Sequence, residues 1–85
     1  MSTGPQLTVK LFGAYRDAVG AESLVRPCPP GLRLGALWAQ LCAEWPDLAP
    51  LAAARLGAVN LDYADDDHPL APGDEVAFFP PVSGG

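Results

Sequence analysis

The sequence predicts an α+β fold in which one main helix lies across a mixed sheet, and three observations predict it. Gln6 to Phe12 alternates apolar and polar residues with the period of two that marks a half-buried strand. Leu34 to Trp45 carries its apolar residues on a single helical stripe. Two short apolar runs, Leu56 to Leu61 and Glu75 to Phe79, follow the helix and are separated by turn chemistry. With 85 residues there is room for one domain, residues 1–85, and a chain this small buries only about 60% of its unfolded surface.

In the first strand Leu7, Val9 and Leu11 share one face while Thr8 and Lys10 take the other. Gly13 ends it, and a polar bend through Tyr15, Arg16 and Asp17 to Gly20 is expected next. A second strand is expected over Ala21 to Cys28, pairing with the first as a hairpin. Pro27, Pro29 and Pro30 bar it from a central position in the sheet, because proline has no ladder donor. In the helix, Leu34, Leu37, Trp38, Leu41, Cys42 and Trp45 fall at i, i+3, i+4, i+7, i+8 and i+11. Its start is poorly signalled: Arg33 stands where Ser, Thr or Asp would satisfy the free amides, and its charge opposes the helix dipole. Pro46 stops the helix, and Asp47 to Arg55 is expected to hold one or two irregular helical turns. After the third strand, the adjacent carboxylates of Asp65, Asp66 and Asp67 require an exposed turn. Ala71-Pro72-Gly73-Asp74 fits a type II turn, with proline and glycine at its two central positions, and leads into the last strand. Within that strand Phe78 and Phe79 must face opposite sides of the sheet, one toward the core and the other toward the edge or solvent.

Composition narrows the function classes. The formal charge is −5, and the five basic residues form no cationic stripe, which argues against nucleic acid and for a partner with a basic cleft. No apolar stretch approaches the roughly 20 residues that span a bilayer, so no membrane association is expected and the chain reads as cytoplasmic. Cys28 and Cys42 form no CxxC pair and read as reduced structural thiols. His68 is the only histidine, and the Asp65–Asp67 run lacks the alternation and glycine of a calcium loop, so no metal site is expected. Trp38 and Trp45 lie on the apolar stripe and read as core. No catalytic constellation of side chains emerges.

The tail offers different chemistry. Pro80, Pro81, Val82 and Ser83 lead to Gly84 and Gly85, where glycine can thread a narrow channel and the prolines stiffen the departure from the fold. The flexible tail at 81–85 reaches at most about 17 Å at roughly 3.3–3.6 Å per residue. No side chain there is reactive, so the reacting group would be the main-chain carboxylate of Gly85. That group has a pKa of about 3.3–3.7 and is an anion and a poor electrophile at neutral pH. Coupling to a nucleotide would make it an acyl phosphate open to attack by sulfur or an amine. A bare diglycine ending is also what an inert tail or a cloning remnant looks like; the strand, the prolines and the length favour function.

His68-Pro69-Leu70 followed by Gly73 through Gly85, with the ending PPVSGG, resembles the carboxyl end of the small, sulfur-carrying subunit of molybdopterin synthase. Weaker agreement extends through Val9 to Phe12, Tyr15-Arg16, the helix and Ala58-Val59-Asn60, so the resemblance covers nearly the whole chain. It implies a β-grasp, ubiquitin-like fold whose tail is adenylated by an ATP-dependent activating enzyme and becomes a thiocarboxylate at Gly85. No bound cofactor is implied. The loaded tail would enter the catalytic large subunit, within a heterotetramer, and donate sulfur to cyclic pyranopterin monophosphate in molybdenum cofactor biosynthesis. On this reading the chain is a non-catalytic sulfur donor. Phe79 and Tyr63 correspond to the family's apolar contact surface, although an aliphatic residue is more usual at Tyr63. Three other readings stay open at this point: a sulfur carrier for another pathway such as thiamine synthesis, a ubiquitin-like modifier joined through Gly85 to lysines of target proteins, and a passive binding module with an inert tail.

Overall fold

A computed structural model describes residues 4–52 and 55–80; the expected tail at 81–85 lies outside the described residues. The elements run β1 (Gln6–Leu11), α1 (Gly13–Val19), β2 (Ser23–Pro27), α2 (Leu34–Glu44), a 3-10 helix at Pro46–Leu51, β3 (Leu56–Val59), β4 (Asp62–Tyr63) and β5 (Glu75–Phe79). The sheet order is β2-β1-β5-β3-β4. β1 and β5 run parallel at its centre, and the other three pairs are antiparallel. β2 is an edge strand, as its Pro27 requires.

Alternation assigns the two faces. Leu7, Val9 and Leu11 of β1 and Val76 and Phe78 of β5 are buried, and Leu34, Leu37, Trp38 and Leu41 of α2 close the same core. The Trp38 ring packs 4.9 Å from Phe78 and 5.3 Å from Tyr15, so one helical stripe, one sheet face and α1 meet at a single aromatic cluster. Each fully buried Leu or Phe there contributes about 1.5–3 kcal/mol. This mixed sheet with a helix across one face is the β-grasp arrangement.

The uncapped start of α2 is completed from elsewhere in the chain. Arg33 makes no side-chain cap bond. Instead the Leu34 and Gly35 amides donate to the backbone carbonyls of His68 and Asp66, each at 3.0 Å. The acidic turn thereby sits against the positive end of the helix dipole, which offsets the misplaced cation. Gly35 permits the approach, because a Cβ built there would lie 2.8 Å from Asp66 Cβ. Asp66 also pairs with the Arg55 guanidinium, whose carbon lies 4.9 Å from the Trp38 ring centre and 5.0 Å from that of Phe78.

Three expectations need correction. The segment read as a polar bend is the helix α1, with Tyr15 buried and its hydroxyl donating to the Leu51 carbonyl at 3.0 Å. The third strand stops at Val59, and Asn60 and Leu61 form a two-residue connection to β4, a strand the sequence reading lacked. β2 spans Ser23–Pro27 and is shorter than Ala21 to Cys28. The irregular turns after α2 appear as the 3-10 helix, and Gly73, at φ +88° with Asp74 N–H donating to Ala71 O, closes the turn before β5.

Candidate docking surface and tail root

The helix covers one face of the sheet; the register shows what the other face carries. Phe79 pairs with Leu56, Ala77 with Ala58, and Ala58 in turn with Tyr63, so these side chains share the uncovered side. Lys10 and Glu75 lie on it as well, 3.9 Å apart. Phe78 is fully buried, whereas Phe79 is half-buried and meets Phe12 at 6.3 Å edge-on and Tyr63 at 6.0 Å. Phe12 is 50% exposed and Tyr63 76% exposed, an unusual density of aromatic surface for an 85-residue chain. With Ala58 and Ala77 as a low floor and Leu61, Glu75 and Pro80 completing its walls, the surface forms an open trough of about 650 Å³.

The last strand runs through this surface and leaves it at Pro80. Pro80 is seated on Gly13: a Cβ there would meet Pro80 Cγ at 3.2 Å, and Gly13 has φ +58°, so the position asks for glycine on two grounds. The opposite wall is fixed by a side-chain bridge. Asn60 Nδ2 donates to Asp74 Oδ1 at 3.0 Å, and Asn60 Oδ1 accepts the Glu75 amide at 2.9 Å, tying the β3-β4 connection to the start of β5.

Among the described residues, the side chains lining the trough are apolar apart from Glu75 and the Tyr63 phenol, so what the trough offers is a binding surface. Among the described residues, no group of three or more His, Cys, Asp or Glu could hold a metal ion. Both cysteines are free, and burial pushes their thiols up from the ordinary range, disfavouring the reactive thiolate. No helix among the described residues is long and apolar enough to cross a membrane.

Of the residues singled out by sequence, Phe79, Tyr63 and Pro80 converge here, while Pro81, Val82, Ser83, Gly84 and Gly85 lie outside the described residues. Phe12 and Leu61 were not singled out. Parity carried the signal for Phe12, since Leu7, Val9 and Leu11 point inward and the next residue begins the turn away from them. Leu61 carried none, because a leucine beside Val59 and Asn60 reads as strand.

The sheet order, the helix across it and an aromatic surface on the last strand define a ubiquitin-like β-grasp protein. The ThiS family profile matches residues 9–85, and the chain belongs to the ThiS family. It is 67% identical over 81 residues to the molybdopterin synthase sulfur carrier subunit of Escherichia coli K12, covering 93% of this chain and 99% of that one. Among solved structures it is similar to a Pyrococcus furiosus protein provisionally assigned as molybdopterin converting factor subunit 1. That match has a TM-score of 0.82 and 26% identity, over 93% of this chain and 100% of the other. It is also similar to a chain in the Helicobacter pylori complex of subunits 1 and 2 of molybdopterin-converting factor, with TM-score 0.64 and 26% identity over 94% and 99% of the two chains.

Proposed function

We propose that this chain is the sulfur carrier of a molybdopterin synthase, acting in the cytoplasm as a covalently loaded co-substrate. The observation that carries the reading is the agreement with the E. coli sulfur carrier over almost the full length of both chains, supported by an aromatic trough at the root of the tail. The Gly85 carboxylate attacks the α-phosphate of ATP on an activating enzyme and releases pyrophosphate. A hydrosulfide-level sulfur nucleophile then attacks the acyl carbon, AMP departs with its bonding electrons, and a thiocarboxylate remains. On the large subunit the anionic sulfur attacks an electrophilic carbon of cyclic pyranopterin monophosphate, and the electron pair of the carbon–oxygen bond that breaks there goes to the oxygen, which an acid of the large subunit protonates. Water cleaves the resulting thioester, leaving sulfur on the product and regenerating the carboxylate.

The division of labour follows from what each part offers. The body contributes a rigid apolar surface, with Phe79 and Tyr63 as its anchors, and Pro80 to Gly84 deliver the last residue into a partner's pocket. Acid, base and cation come from the partner, in a complex of two small and two large subunits. The test is a pair of tail variants, one lacking Gly85 and one extended by a single residue. Both should match the parent in denaturation midpoint and transfer no sulfur to the pterin substrate; sulfur transfer by either variant would overturn the proposal.

A further inference from the structure

The β3-β4 connection holds a feature that the monomer does not explain. Val59 pairs with Asp62, leaving Asn60 and Leu61 as a two-residue loop with φ +51° and +75°. Two positive φ values in succession are what a type I′ connection needs, and such loops favour Asn followed by Gly. Here the glycine position is occupied by leucine. Left-handed backbone is costly for a residue with a Cβ, and Leu61 has no compensating burial, being 92% exposed. It is the most exposed of the large apolar side chains among the described residues.

Leu61 is not an isolated surface leucine. It borders the same trough as Phe12, Tyr63 and Phe79, and the Asn60 bridge to Asp74 and Glu75 fixes the loop on that side of the sheet. From these observations we infer that Leu61 is a specificity anchor for the large synthase subunit, extending the docking surface past Tyr63 onto the hairpin tip. The inference rests on the proposed function. The complementary site on the large subunit is an apolar hollow with a cationic rim, since Glu75 borders the same trough as the leucine and the chain carries −5 overall. The strain and exposure of Leu61 in the free chain are offset when that hollow takes the side chain out of water.

The proposal predicts opposite signs for folding and binding, which a structural role for Leu61 would not produce. Leu61→Asn suits the left-handed backbone and removes the apolar side chain. Its denaturation midpoint should equal or exceed that of the parent, and its Kd for the large subunit of the same organism should rise about ten- to hundredfold, the loss expected for one buried leucine. Leu61→Met, which keeps the apolar volume, should restore binding to within about threefold of the parent. Unchanged affinity of Leu61→Asn for the large subunit would overturn the proposal, as would an effect confined to the activating enzyme. Phe79→Asp measured alongside separates the two levels: if it too binds normally, the docking surface itself is wrong, whereas if it fails to bind and Leu61→Asn does not, only the anchor is wrong.

Discussion

Phe78 and Phe79 are chain neighbours on opposite faces of the sheet, and replacing each by alanine tests the proposed division between core and docking surface. Phe78 is fully buried against Trp38 and the Arg55 guanidinium, so Phe78→Ala should cost about 3–5 kcal/mol, the range for a buried aromatic. A domain of this kind has about 5–15 kcal/mol in total, which leaves that variant marginal. Phe79→Ala loses the ring contacts with Phe12 and Tyr63, at about 0.5–1.5 kcal/mol each, on a face that water already reaches. Its stability loss should be about 1–2 kcal/mol. Binding reverses the order: an aromatic anchor is worth about 2 kcal/mol or more, so Phe79→Ala should weaken large-subunit affinity by at least roughly thirtyfold. Urea denaturation followed by tryptophan fluorescence gives the first quantity and titration calorimetry the second. Equal destabilisation by the two substitutions, or an unaltered Kd for Phe79→Ala, would refute the assignment of faces.

Other expectations concern the frame that presents this surface. Arg55→Met should cost about 1–3 kcal/mol and Asp66→Asn under about 1 kcal/mol, because the guanidinium is packed on two rings while its carboxylate partner is 65% exposed; the reverse order in denaturation would contradict this. Gly35→Ala should destabilise by about 1–3 kcal/mol despite a helix-propensity gain of roughly 1 kcal/mol, since the new Cβ displaces the Asp66 turn that caps α2; a stabilised variant would show that the contact is dispensable. Burial raises the Cys28, Cys42 and Tyr15 groups, with the Asp74 charge adding to Cys28 and Arg55 partly opposing the other two. The folded state therefore holds these protons more tightly than the unfolded chain, so their contribution is complete below the unfolded pKa values. Stability should fall as pH rises above about 8.5, where unfolded thiols begin to ionise. Thermal midpoints that stayed flat to pH 10 would exclude the effect.

Much of this was legible because the relevant signals are local. Period-two alternation placed β1 and divided Phe78 from Phe79, and a single stripe placed α2 and its buried residues Leu34, Leu37, Trp38 and Leu41. The type II turn before β5 was readable because proline and glycine each have one backbone reason to be there. What escaped reading depends on distant partners. α1 has seven residues, no side-chain cap and one deeply buried residue, Tyr15, whose place is secured by Leu51 and Trp38. The cap of α2 comes from carbonyls more than thirty positions later, so Arg33 correctly signalled a missing cap and could not signal its replacement. Asn60-Leu61 escaped because the residue that marks such a connection, glycine, is absent from it. Within the proposed docking surface, strand parity and the family resemblance both pointed to Phe79 and the resemblance alone to Tyr63, while Phe12 and Leu61 required the sheet to be assembled.

The most direct test of sulfur carriage is the intact and peptide-level mass of the protein purified from its own host. The account predicts a fraction in which one oxygen of the Gly85 carboxylate is exchanged for sulfur, found in the terminal peptide and discharged by the large subunit with its substrate. Sulfur added as a persulfide on Cys28 or Cys42, or Gly85 joined to lysines of other proteins with no thiocarboxylate form, would contradict it.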